Sequence, residues 1–365
     1  MKLEGKLMKK VLFASTALVA FAGAASADVA LSGNAEMGIF NPDTDVQFFT
    51  DIDVTFTMSG ETDGGLTFGA AIDIDETTLA DGDGDATGVA GLDGILGTAD
   101  DDLSQLDNGV GSNGAFGDNS DDGGIAIFIS GGFGTLTMGD TDGALDWALT
   151  EVNFNSGSIA DDETAHTGFS GNGGLDGVYD GQIARYDYTV GAFGFALSAE
   201  IDDTDVNDPA LGIGFKYDLD LGGTTIGLGL GYQSTETGGG LDLEALGVSA
   251  NAAFGAVTVG FSYTEFENHF QVNGARFVTP GFDGDHFGIG LGYSGGPFSA
   301  NINYGEFDSD VGGIDGDGVG ISVGYDLGGG AVLQAGYGDS DVNLPAALGG
   351  PVGGDSYSLG LRMNF

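Results

Sequence analysis

From residue 28 to the chain end, apolar and polar residues alternate with a period of two. Ile52, Val54, Phe56 and Met58 interleave with Asp51, Asp53, Thr55 and Thr57. Leu66, Phe68, Ala70, Ile72 and Ile74 interleave with Thr67, Gly69, Ala71, Asp73 and Asp75. Near the end, Tyr357, Leu359, Leu361, Met363 and Phe365 share one face, and Ser358, Gly360, Arg362 and Asn364 share the other. Successive side chains of a strand point to opposite faces, so each segment predicts a strand with one apolar and one wet face. Sixteen such segments are predicted, at 29–39, 50–59, 66–75, 124–131, 135–140, 182–190, 195–201, 210–218, 224–233, 243–254, 257–266, 286–293, 298–306, 318–326, 331–338 and 356–365. The even count suits an all-β, up-and-down antiparallel barrel.

The connections sort into two sets. Short turns fall at 61–65, 132–134, 191–194, 219–223, 255–256, 294–297 and 327–330. Between them lie longer, mostly acidic links such as 76–123, 141–181 and 267–285. Short links on one rim and long links on the other fit a membrane barrel, whereas a sandwich has no reason to segregate them. Tyr186, Tyr188, Tyr217, Tyr232, Tyr263, Tyr293, Tyr304, Tyr325, Tyr337, Tyr357 and Phe365 gather at strand ends, where interfacial girdles would place them. The faces assigned to lipid carry almost no charge.

Residues 1–27 read differently. Lys9-Lys10 precede an apolar run from Val11 to Ala25, and Ala25-Ser26-Ala27 forms an A-x-A site. Together these are the parts of a signal peptide cleaved after Ala27, which leaves 28–365 as one barrel domain. Met8 begins a cleaner signal than Met1 and is an alternative start. The apolar run is too short for a spanning helix.

Composition removes several alternatives. Acidic residues outnumber basic ones 56 to 8, for a formal charge of -48. Such a charge in a polar chain would signal disorder, but hydrophobic residues make up 41% and Phe occurs 25 times, so there is ample apolar surface to bury. The shortage of Lys and Arg argues against nucleic acid, whose phosphates need cations. Nothing points to an enzyme: His166, His269 and His286 lie far apart, and no nucleophile elbow or phosphate loop is present. The alternation Gly288, Gly290, Gly292 lies within a strand, so it is no dinucleotide fingerprint. It reads as a lumen face kept bare to widen the bore or admit an inward loop.

Two stretches carry a family resemblance. Ser130-Gly131-Gly132-Phe133-Gly134-Thr135-Leu136-Thr137-Met138-Gly139-Asp140 resembles the strand–turn–strand before the constriction loop of general-diffusion porins. Leu359-Gly360-Leu361-Arg362-Met363-Asn364-Phe365 resembles their C-terminal strand, whose final Phe is the signal read by the barrel-assembly machinery. The likeness covers the whole chain after residue 27 and is nearest to alphaproteobacterial porins of the purple non-sulfur and marine type. It implies a homotrimer of sixteen-stranded transmembrane barrels in the outer membrane of a Gram-negative bacterium. Each barrel would be a water-filled passage for small hydrophilic solutes and ions, in contact with outer-membrane lipid. It further implies that the loop after the fifth strand folds into the lumen.

That loop, 141–181, offers Asp142, Asp146, Glu151, Asp161, Asp162 and Glu163 as constriction residues, beside the only tryptophan, Trp147. The facing wall offers Glu36, Asp51, Asp53, Asp73 and Asp75, with Arg185, Lys216 and Arg362 as inward cations. Many relatives set a basic cluster opposite an acidic loop; this chain departs from that. A carboxylate-lined passage attracts cations, so cation preference is expected. No cofactor is required. Asp81, Asp83, Asp85, Asp100, Asp101 and Asp102 suit a Ca²⁺ site, although Ala86 stands where an EF-hand needs glycine; a plain hydrated loop is the other reading. The competing fold is a secreted calcium-binding β-roll or adhesin, which the glycine and aspartate content favours and the missing nonapeptide repeat disfavours.

Overall fold

The computed structural model describes residues 28–43, 45–77, 124–169, 172–179, 181–272, 275–311, 313–345 and 350–365. The expected signal peptide and the six aspartates weighed as a Ca²⁺ site lie outside them. The strands, in chain order, are β1 (Asp28–Asn41), β2 (Gln47–Glu61), β3 (Thr67–Thr77), β4 (Ile125–Gly131), β5 (Gly134–Asp140), β6 (Gln182–Val190), β7 (Phe193–Glu200), β8 (Ala210–Asp220) and β9 (Thr224–Glu236). There follow β10 (Asp242–Phe254), β11 (Val257–Glu267), β12 (His269–Val272), β13 (Ala275–Val278), β14 (Gly284–Gly295), β15 (Phe298–Ser309), β16 (Asp315–Gly328), β17 (Ala331–Asn343) and β18 (Val352–Asn364). Sixteen of these close into one antiparallel barrel, each pairing with its sequence neighbours and β1 pairing with β18. Closure removes the unpaired edges that an open sheet would expose. A β-roll is thereby ruled out.

The remaining two strands, β12 and β13, pair as a hairpin within the link after β11. Sequence periodicity did not anticipate it, because each arm is only four residues long. The barrel strands also run further toward the loop rim than their alternation suggested. The strand expected at 298–306 continues to Ser309, that at 331–338 continues to Asn343, and that at 356–365 begins at Val352. At that rim the outward positions are carboxylates such as Glu306, Asp308, Asp317 and Asp339. Both faces are then polar, so the pattern vanishes while the backbone ladder persists.

Below that rim the outward face is apolar, and Ile289, Leu291, Ile302, Val323, Leu333 and Leu359 are exposed there. Large apolar residues exposed in a continuous band mark a surface made for lipid. Tyr263, Tyr304 and Tyr337 sit where the band ends, each donating its hydroxyl to a carboxylate two residues on. No helix among the described residues is long and apolar enough to cross a membrane; the strands do the crossing.

Candidate functional site

Residues 141–181 leave the end of β5 and enter the barrel. The short helix α1 (Ala144–Ala148) buries Ala144, Leu145 and Ala148 against the inner face of the wall, touching β7, β8 and β9. Glycines make this approach possible. A Cβ at Gly231 would lie 2.7 Å from the Leu145 Cα, and one at Gly214 or Gly229 would overlap the carbonyl oxygen of Ala144 or Ala148. Further along, Gly290 faces Val152, Gly305 faces Gly168, Gly320 faces Glu163, Gly338 faces Asp162, and both Gly38 and Gly360 face Ile159. The wall from β8 round to β1 thus carries a bare track on which the loop backbone lies. Only glycine allows backbone to come so near backbone.

Lone polar side chains set among these glycines bond the loop in place. Ser198 accepts from Ala144 N at 2.8 Å, Ser249 from Thr150 N at 3.0 Å and Gln233 from Leu175 N at 2.8 Å. Ser340 accepts from Thr167 N at 2.9 Å, and Ser358 donates to Ile159 O at 2.7 Å. Asn303 donates to Glu163 O at 2.9 Å and meets His166 Nε2 at 2.5 Å, while His286 Nε2 lies 3.0 Å from Gly168 O. Each such bond contributes about 1 kcal/mol, and much more is lost if its buried partner is left unpaired. Sequence reasoning missed these anchors. Their signal is a single Ser, Asn or Gln at a lumen-facing position between glycines.

On the other side of the barrel the inner face stays open. Asp51, Asp53, Thr55, Thr57, Ala126, Thr135 and Thr137 are half-buried and Asp73 is exposed, whereas inward residues under the loop such as Ser262, Thr264, Asn303 and Ser322 are fully buried. A crescent-shaped passage therefore runs between the loop and the inner faces of β2–β6.

The expected site residues divide between this passage and the seat beneath the loop. Asp142, Glu151 and Asp161 are exposed on the loop; on the open wall Asp73 is exposed and Asp51 and Asp53 are half-buried. Asn34 donates to Asp53 at 2.5 Å and Thr55 to Asp73 at 3.0 Å, which holds both carboxylates in position. Asp75 pairs in register with Asp53. Asp162, Glu163 and Glu36 differ from the expectation. Asp162 and Glu163 turn away from the passage into the seat, at 0% and 2% exposure. Glu36, 6% exposed, lies beneath the loop and pairs with Arg362 at 3.1 Å. Asp146 is half-buried within α1.

The three inward cations are all engaged. Arg185 donates to Asp142 O at 2.5 Å and lies 3.7 Å from the Asp142 carboxylate and 3.5 Å from Asp187. Lys216 sits over the Trp147 ring, 4.3 Å from its centroid, a cation–π contact. Arg362 is held by Glu36. Burial pushes the Asp146 carboxyl up to about 7, helped by the charges of Asp142, Asp176 and Glu151. Burial likewise raises Asp176 to about 6, although Gly143 N and the Gln233 amide donate to it. The loop also bends sharply at its far side, where Ala160 and Asp161 hold left-handed φ values of 59° and 50°. Non-glycine residues adopt that conformation at a cost of about 1–2 kcal/mol each. The seat of Ile159 on Gly38 and Gly360 sustains it.

Among the described residues no group of three or more acidic or histidine side chains is arranged to hold a metal ion. The arrangement offers a polar passage lined by charged side chains.

Comparison with known proteins agrees with this geometry. Residues 14–344 match the model of a family described as Gram-negative porin. A porin of Rhodobacter capsulatus is 28% identical over 339 residues, covering 86% of this chain and 95% of the relative. A porin structure refined at 1.8 Å superposes with a TM-score of 0.64 at 24% identity, over 93% of this chain and all of the other. A variant of Rhodopseudomonas blastica porin gives 0.57 at 18% identity, and an anion-selective porin from Comamonas acidovorans gives 0.57 at 14%. Both cover 93% of this chain and 100% of the neighbour.

Proposed function

Since the chain belongs to the Gram-negative porin family, and so to the outer membrane, we propose that it is a passive diffusion channel for small hydrophilic solutes and ions, and that it prefers cations. One observation carries the preference. The passage is flanked by Asp51, Asp53, Asp73, Asp142, Glu151 and Asp161, while Arg185, Lys216 and Arg362 are each held by a carboxylate or by Trp147. Fixed charges of one sign in a narrow channel concentrate counterions and repel co-ions. The fold alone does not set the sign, because an anion-selective channel shares it. Reversal potentials across a planar bilayer in a KCl gradient test the reading: cation preference is expected, and anion preference overturns it.

The assembly we infer is a homotrimer. β5 has seven residues and β7 has eight, fewer than the ~9–11 that a tilted strand needs to cross a bilayer. The outward residues there and nearby, Ile127, Leu136, Met138 and Leu197, are apolar and exposed. On β1, β2 and the link between them the apolar surface reaches the loop rim at Ile39, Val46 and Phe48, with Phe48 at 87% exposure. A low, apolar side of the wall favours a cover of protein rather than lipid, and two further copies of this chain would supply it. A trimer band that collapses to monomer on boiling in detergent is expected; a monomer before boiling contradicts it. The exposed ring of Phe365, whose backbone N donates to Gly33 O at 2.9 Å, is available to the assembly machinery at the barrel seam.

A further inference from the structure

Beneath the far side of the loop lie two carboxylates that the passage does not use. Asp162 is fully buried, and its carboxylate oxygens have only the Ser356 and Ser358 hydroxyls nearby, neither in full hydrogen-bond geometry. Glu163, beside it, accepts from the Ser158 hydroxyl. The walls around them are neutral. β16 presents Gly320, and β17 presents Gln334, Gly336 and Gly338. From β15, Asn303 bonds the Glu163 backbone, and from β18, Ser356 and Ser358 are close by, the latter bonded to Ile159 O.

Glu36 of β1 is paired with Arg362 of β18. Asp161 is exposed on the loop and adds negative charge, and His166 is buried against Asn303, where burial holds its pKa below the ordinary value. Among the described residues no cation pairs with Asp162 or Glu163. Adjacent carboxylates without a compensating cation keep a proton rather than bury their charge.

We propose that Asp162 and Glu163 form a proton-operated latch, which seats the inner loop on the glycine track when protonated and loosens it when ionised. The loop bounds the passage, so the latch sets how firmly the aperture is held. Ionisation is easier once the pair meets water, so it draws the loop off its seat. Burial pushes Asp162 up to about 6 and Glu163 up to about 7, with nearby hydroxyls tempering both. A carboxyl raised in the seated state binds more protons there than in the released state. The seat is therefore firmest at low pH and weakens as pH rises through 6 to 7.

Amide hydrogen exchange read by mass spectrometry tests this on the full-length protein in detergent, corrected for intrinsic exchange. In the unaltered protein, protection of residues 156–165 should fall about tenfold or more between pH 5.5 and 7.5. The double variant Asp162→Asn, Glu163→Gln should keep its protection across that range. Asp161→Asn, which removes a nearby exposed charge, should leave the pH dependence in place. Ser158→Ala removes the bond that steadies ionised Glu163, so the midpoint should move to higher pH; this single change covers the case in which the double variant does not assemble. Constant protection in the unaltered protein, equal pH dependence in the double variant, or an unmoved midpoint in Ser158→Ala would overturn the proposal. The readout is independent of ion selectivity, so it stands or falls apart from cation preference.

Discussion

The two halves of the inner wall are built from different residues for different neighbours. From β8 round to β1 the lumen face is glycine with scattered Ser, Asn and Gln, and the loop lies directly on it. From β2 to β6 it is Thr and Asp with Arg185, and it meets water. The contrast explains the glycine-rich, acidic composition. Many of the 72 glycines are there because backbone must touch backbone; the acids along the passage are there because solutes must pass. Glycine in a strand ordinarily costs stability, and the seated loop offsets that cost by burying Leu145, Leu149, Val152 and Ile159.

The strongest way to break this contrast is to put a side chain on the track. Gly290→Val would drive a Cβ into the Val152 carbonyl and displace the loop, at a cost of about 3 kcal/mol. Single-channel recording should then show larger, noisier conductance. Thr57→Val on the open wall should change conductance and melting little.

Next in size is the loss of an anchor. Asn303→Ala strips partners from His166 and from Glu163 O, both buried, and should cost about 2 kcal/mol. The temperature at which the folded band converts on gels reports it.

Protonation gives a smaller effect. Asp146 is raised to about 7, chiefly by burial, so the seat of α1 should gain stability as pH falls through 7 and lose it above. For a half-buried group the change is about 1–2 kcal/mol. Asp146→Asn should flatten that portion of a melting-versus-pH curve. The smallest change expected is at the strained turn, where Ala160→Gly relieves a left-handed φ and should raise stability by about 0.5–1 kcal/mol in the same assay.

Much of the barrel was legible because its faces differ. Wherever apolar residues alternate with polar ones, as at Phe298–Tyr304, the strand is plain; wherever outward Glu306 and Asp308 make both faces polar, it is not. The inward loop was legible through its place after β5 and through the bare positions Gly288, Gly290 and Gly292 that receive it. Which acids of the loop face the passage was not. Asp161, Asp162 and Glu163 are consecutive in an irregular segment without periodicity, and a turn at Ala160 decides that one is exposed and two are buried. Nor was the fate of Glu36, whose partner Arg362 reaches it only because β1 and β18 meet when the barrel closes.

The central claim is that the open wall, and not the acidity of the chain as a whole, makes the passage cation-preferring. Reversal potentials in a KCl gradient decide it, comparing the unaltered channel with Asp51→Asn, Asp53→Asn, Asp73→Asn combined and with Asp162→Asn. The account expects cation preference in the unaltered channel, a several-fold reduction in the triple variant, and little change from Asp162→Asn at pH 6, where that buried group already holds a proton much of the time. Anion preference in the unaltered channel, or a triple variant as selective as the parent, would contradict it.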